Sequence, residues 1–108
     1  MIRHIGKSYT VKNAKRSGQR STPNYSPAGE VIGILEERAT PSTHRDSSGE
    51  EVDSSMEIRA TGYDVEFYDS GDSEYWPTRL EHPQGIEYEV VSMTPEDSGV
   101  IVLMVERA

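Results

Sequence analysis

The sequence predicts a small all-β domain, either a β-barrel or a sandwich of about six to seven short strands with two long polar loops. Residues 56–60 alternate apolar with charged side chains, the period of a half-buried strand. Polar turn segments such as residues 82–85 and 94–99 separate runs of this kind. No long helical period competes with them, and 33% hydrophobic residues in 108 are enough for one modest core.

The predicted strands follow one another along the whole chain. Residues 30–39 are the most ambiguous, since Leu-Glu-Glu-Arg-Ala suits a helix, but Gly33 weakens a helix and Val-Ile-Gly-Ile favours a strand. The last strand is apolar on both faces, so we expect it to lie centrally or under a neighbouring subunit. The strands are residues 8–12, 30–39, 56–60, 65–68, 75–80, 86–93 and 100–106.

Two segments have the composition of long loops. Residues 13–29 contain two glycines and two prolines among polar residues, and residues 40–55 are polar with a cluster of acids. Loops of this length inside a compact domain tend to be functional or disordered.

The charge is divided unevenly between residues 1–29, a basic strand and arm, and residues 30–108, an acidic barrel body of the same single domain. The first segment has six basic residues and no acid, while the second has all 19 acids and five arginines. Such a division predicts that the arm docks on an acidic surface, namely its own body, a neighbouring copy or nucleic acid; a solvated flexible terminus is the alternative. The candidate inter-subunit contacts in the arm are Lys7, Lys12, Lys15, Arg16 and Arg20.

Lysine is scarce and acids are plentiful. All three lysines lie in the arm. Proteins of salt-rich cytoplasms share this composition, because carboxylates keep a surface hydrated while salt screens their repulsion. A halophilic host and an ordinary acidic surface both account for it.

Several classes of protein are excluded by what the sequence lacks. Without cysteine there is no disulfide framework and no thiolate site. No apolar run approaches the roughly 20 residues of a membrane span, and residues 1–6 lack the apolar region of a signal peptide. We therefore expect a soluble, unprocessed chain with no membrane partner.

Groups that carry chemistry are scattered. His4, His44 and His82 lack the spacing of a metal site, and neither a nucleophile elbow nor a phosphate-binding glycine loop occurs. Acids around Gly71 have two interpretations, a hard-cation site and an ordinary turn. We expect no enzyme, cofactor, metal or small-molecule substrate. The acids in question are Asp69, Asp72 and Glu74.

Aromatic residues offer few binding features. Trp76 is either an interface anchor or part of the core. The basic arm includes Tyr9 and Tyr25, but the body lacks a basic groove, so only non-specific proximity to DNA is expected.

Residues 95–99, Pro-Glu-Asp-Ser-Gly, resemble a stretch of immunoglobulin variable domains. In that family a tyrosine and a cysteine follow, where this sequence has Ile101 and Leu103. An immunoglobulin-like adhesion domain is therefore a minor alternative.

The order of segments from residue 30 to 106 resembles the head-closure, or stopper, family of long-tailed phages and haloarchaeal tailed viruses. The shared layout is a first strand, a long loop, a strand, a long polar loop, and then strands with the sequences Trp-Pro-Thr-Arg-Leu at 76–80 and Gly-Ile-Glu-Tyr-Glu-Val-Val at 85–91. In that family a glycine turn and a Tyr-x-Val strand precede a final apolar strand that closes a small barrel.

The resemblance implies a structural protein of the virion neck, assembled in the host cytoplasm. Such a subunit forms a homo-oligomeric ring between the portal or adaptor and the tail, and helps to retain packaged double-stranded DNA. Tail-completion, tail-tube and decoration proteins are the alternatives within the virion. By position, the loop facing the channel would contain Thr40, His44, Arg45, Asp46, Glu50, Glu51 and Asp53.

Overall fold

The computed structural model describes residues 6–16, 22–61, 65–96 and 99–108, and within them the chain forms six antiparallel strands. This confirms the predicted all-β class. No helix among these residues has the length and apolar content that crossing a membrane requires. The strands are β1 (Lys7–Asn13), β2 (Ser26–Arg45), β3 (Glu51–Thr61), β4 (Arg79–Glu81), β5 (Glu87–Pro95) and β6 (Ile101–Arg107).

The strands form one sheet that closes into a barrel in the order β1, β2, β3, β6, β5, β4. Closure comes from β1, which pairs with β2 along its length and with β4 through Thr10, Val11 and Lys12. The first strand of the predicted basic arm is thus part of the barrel wall. A closed single sheet also differs from the two packed sheets of an immunoglobulin domain.

The barrel interior holds the main core. Alternate residues of each strand point inward, as period-two patterning predicts, and the innermost are fully buried. A Cβ on Gly33 would lie 2.7 Å from Ile58 Cγ2, so glycine lets β2 pass close to the core. The largest fully buried apolar side chains are Tyr9, Val11, Val31, Ile58, Leu80, Val90, Leu103 and Val105.

The prediction of a second long loop at residues 40–55 is wrong, because most of these residues belong to strands β2 and β3. Residues 42–45 of β2 pair with residues 51–54 of β3 around a turn at residues 46–50. Polar cross-strand pairs support this ladder: the Thr43 hydroxyl donates to Asp53 Oδ1 at 2.8 Å, and Arg45 lies 3.5 Å from Glu51. Residues 26–29, predicted as the end of the first loop, likewise belong to β2.

Two predicted strands are shorter or absent. Residues 65–68 run without a ladder, although Phe67 packs in the core as its alternation predicts. The backbone there is held by the Thr78 side chain, whose Oγ1 accepts from Tyr68 N at 2.8 Å. Of residues 75–80 only the last two enter a strand, β4, because Trp76 N donates to Ala14 O in a loop contact instead.

Candidate assembly surfaces

The end of the β2–β3 hairpin, residues 42–54, folds back over the outside of the barrel, and we call it the hairpin extension. The bend arises where residues 38–41 of β2 lie opposite the single residue Ser55. Pro41 is tolerated there because a bulge does not need its missing N–H. The Ser92 hydroxyl then donates to Arg45 O at 2.8 Å, which joins the extension to β5.

Beneath the extension lies a second, smaller apolar cluster. Val91, Val102 and Met104 face outward from β5 and β6 and are nonetheless buried, and Val52 of the extension packs against them. This explains a strand that is apolar on both faces: β6 lies centrally, between β3 and β5, and the chain's own hairpin covers its outer side. We call these three residues the outer patch.

The tip of the extension is held by two buried aspartates. Asp46 accepts hydrogen bonds from Ser48 N at 2.9 Å and Ser48 Oγ at 2.6 Å, and its other oxygen accepts from Ser70 Oγ at 3.0 Å. These bonds, led by that of the Ser48 hydroxyl, lower the pKa of Asp46. Asp69 accepts from Ser47 N and Ser47 Oγ at 2.9 and 2.7 Å. The four residues Asp46, Ser47, Asp69 and Ser70 form what we call the clasp.

The clasp leaves no space beside Gly71. A Cβ at that position would lie 2.6 Å from Ser48 N and 2.7 Å from Asp46 Oδ1. Glycine is therefore required for the turn after β3 to approach the tip of the extension so closely.

A buried carboxylate lies under the bend. Glu57 is 2% exposed and pairs with Arg38, while Arg59 Nε lies 3.9 Å from it. The same space includes His44, whose Nε2 is buried without a hydrogen-bond partner among the described residues. Together these side chains line a cavity of about 200 Å³ between the extension and the wall.

The residues predicted to face a channel all lie on or next to the hairpin extension. Their side chains differ in environment: Asp46 is in the clasp and His44 faces the wall, whereas the others are exposed. The exposed members are Thr40, Arg45, Glu50, Glu51 and Asp53. A role in lining a channel stays a prediction.

Two residues of the predicted arm contact their own chain. Lys12 Nζ lies 2.9 Å from Glu87 and 3.2 Å from Glu81, and these hydrogen bonds, that of Glu87 first, raise its pKa. Arg16 donates to Asp72 O and Tyr75 O. Lys7 and Lys15 are exposed, and Arg20 lies outside the described residues.

Trp76 is half-buried and lies under the Arg16 guanidinium, 4.3 Å from the ring centroid. It belongs to neither apolar cluster. The stacking attaches the end of the basic segment to the body.

Two of the three acids around Gly71 accept hydrogen bonds in turns, while Glu74 is exposed. Asp69 serves the clasp, and Asp72 Oδ2 accepts from Glu74 N and Tyr75 N at 2.8 and 2.7 Å. Among the described residues no group of three or more potential ligands has a metal-site arrangement. The turn interpretation is the one that these contacts fit.

An exposed apolar groove lies on the outer wall of β2 and β3. The outward residues of β2 read Glu30, Ile32, Ile34, Glu36, and Ile32 is 52% exposed, the large apolar side chain most open to solvent in the described chain. Val100 and Arg59 complete a cavity of about 370 Å³. Sequence reasoning did not predict this groove, because Val31 and Ile32 are consecutive apolar residues and the pattern alone does not say which of them faces outward.

Comparisons with protein-family models, with curated proteins and with solved structures found no match. The resemblance to head-closure proteins therefore remains a proposal.

Proposed function

We propose that this protein is a subunit of a ring in the neck of a tailed virus, where it continues the DNA channel and helps to retain packaged DNA. The observation that carries the proposal is the exposed groove around Ile32 on a barrel whose remaining apolar residues are largely covered. An accessible cavity lined by Ile32 and Ile34 on a small domain is typical of a surface that contacts another protein.

A second copy of the chain is the occupant that the charges favour. On the outward face of β2 the two isoleucines of the groove lie between Glu30 and Glu36. Arg59, which lines the groove, pairs with Glu36 and Glu96, so these three acids and one base leave an excess of negative charge. The exposed bases Lys7 and Lys15 of a neighbour complement that rim. A contact between different surfaces of two copies is heterologous, and repetition of such a contact closes a ring.

The hairpin extension supplies the channel-facing charge in this proposal. Glu50, Glu51 and Asp53 are exposed on the extension, with Glu51 beside Arg45 and Asp53 accepting from the Thr43 hydroxyl. Repeated around a ring, these acids form a negatively charged lining that repels DNA phosphates while the narrowed passage blocks the DNA sterically.

Replacement of Ile32 tests the assembly. We expect Ile32→Asp to abolish oligomers seen by analytical ultracentrifugation and native mass spectrometry while circular dichroism stays unchanged. Ala28→Asp, at an exposed position of the same strand outside the groove, is the matched control and should assemble normally. Equal assembly of both variants would reject the groove as the subunit contact.

Retention of DNA tests the channel role. Deleting the extension would uncover the outer patch, so substitutions at its exposed tip are the cleaner probe. Particles carrying Glu50→Lys, Glu51→Lys and Asp53→Lys should contain the ring by electron cryomicroscopy but show altered DNA retention after filling. A ring located elsewhere than the neck would assign the protein to a tail or decoration role instead.

A further inference from the structure

We propose that the hairpin extension is exchanged between copies, so that in the assembled ring the extension of one subunit lies on the outer patch of its neighbour. This inference rests on the proposed assembly and specifies how neighbouring copies are joined. The outer patch is then an interaction surface whose partner is residues 42–54 of a second copy.

The connection between extension and barrel has the form of a hinge. Residues 38–41 are exposed and lie opposite Ser55 without ladder pairing, so changing their backbone angles breaks no paired hydrogen bonds of the β2–β3 ladder. A straightened hairpin with five residues in each arm would project roughly 16 Å beyond the barrel. That distance is sufficient to reach an adjacent barrel of this size.

The contacts that hold the extension are separable from the barrel fold. They join residues 42–54 to two places on the outer wall, the turn with Asp69 and Ser70 and the outer patch with Ser92. The bond from Ser54 Oγ to Val105 O lies beside the bend, where Ser54 Oγ also bonds to Met56 of its own strand. None of these contacts is part of the closed β1–β6 ladder. The clasp and outer-patch contacts therefore form equally when the extension comes from another copy, which makes exchange low in cost.

An opened subunit needs this particular occupant. Without the extension, Val91, Val102 and Met104 face solvent and two aspartates lose serine donors. Asp46 and Ser48 approach Gly71 so closely that a Cβ on this glycine would lie less than 3 Å from both residues. A hairpin of a different shape would not match this close contact. A second copy of the same hairpin fills the site in full.

Cross-linking distinguishes exchange from the closed arrangement, because the chain has no cysteine of its own. In Val52→Cys with Val102→Cys, a short bis-maleimide, which alkylates two thiols, links the extension to the patch that it covers, and cysteine is tolerated among small apolar residues. Thr10→Cys with Glu30→Cys, two directly paired positions of β1 and β2, is the control and should link within one chain only. Val52→Cys with Val91→Cys repeats the test if the first pair folds poorly.

In assembled material we expect the Val52–Val102 pair to link mainly between chains, giving multimer bands on a denaturing gel. Assemblies that link only within chains would overturn exchange and leave the proposed ring intact. A chain that stays monomeric at all concentrations and links only within itself would overturn both proposals.

Discussion

The two faces of strand β6 make different kinds of interaction, one with the barrel interior and the other with the hairpin extension. On the inner face, Leu103 and Val105 have no exposed surface and belong to a core to which all six strands contribute side chains. Outside, the same strand meets the extension through Val52, which packs on Val102 and Met104, and through the hydrogen bond from Ser54 Oγ to Val105 O. Apolar burial holds the barrel together, whereas the extension is held by a small apolar contact together with side-chain hydrogen bonds at its tip.

This difference determines which region is free to change. Apolar contacts are non-directional and cooperative, so the core tolerates little local opening. Hydrogen bonds to carboxylates, such as those of the clasp, contribute roughly 1.5–3 kcal/mol each when buried and less where water offers replacement partners, as at the exposed tip of the extension. The extension is therefore the region that opens at lower free-energy cost and can take part in assembly.

Matched valine truncations give the largest contrast. Val105→Ala should lower the free energy of unfolding by about 2.5 kcal/mol, because it removes fully buried methyl groups and leaves a cavity. Val52→Ala, at a half-buried site of the extension, should cost about 1 kcal/mol or less. Urea denaturation followed by circular dichroism measures both. Equal losses would mean that the extension is as firmly packed as the core.

Gly71→Ala should release the extension without unfolding the barrel. The added methyl group contacts Ser48 N and Asp46, and overpacking of this kind costs about 1–2 kcal/mol. Hydrogen exchange should accelerate in residues 42–54 and remain slow in the β3–β6 ladder. Ser73→Ala, exposed in the same loop, is the control and should change neither. Unaltered exchange in the extension would contradict the close fit at Gly71.

Acid should weaken the clasp. The lowered pKa of Asp46 means that its charged form is favoured by folding, so its contribution is complete above the ordinary value of 3.8 and is lost as the pH falls through the lowered folded value. The amide signals of Ser48 and Glu50, which donate to Asp46, should shift together in an NMR titration below that pH. Asp46→Asn should remove the shift; a titration that survives this change would assign it to another carboxylate.

The strand pattern and the core were largely predictable from local alternation, since residues such as Ile58 and Leu103 occupy the inward phase of their strands. The extension was not predictable, because Ser and Thr between acids carry no apolar period and its ladder depends on distant partners such as Asp69 and Ser92. The groove exists because no other segment of the described chain covers the outer face of β2 around Ile32. This depends on the tertiary packing of the whole domain and not on the local sequence of β2. Sequence reasoning placed Ile32 in a strand but did not predict its exposure.

The smallest expected effect concerns the predicted basic arm. Lys12 is bound to Glu81 and Glu87 within its own chain, so Lys12→Ala should cost about 0.5–1 kcal/mol of stability, and less at high salt. Because the pKa of Lys12 is raised by folding, its ion pairs stabilise the protein fully at pH values below 10.5, the ordinary lysine pKa. This stabilisation is lost as the pH rises through the higher pKa of the folded state. Lys7→Ala, at an exposed position of the same strand, should leave stability unchanged and weaken assembly instead. Ultracentrifugation of both variants measures assembly, and denaturation measures stability. If Lys12→Ala impaired assembly and Lys7→Ala did not, Lys12 and not Lys7 would be the lysine that contacts a neighbouring subunit.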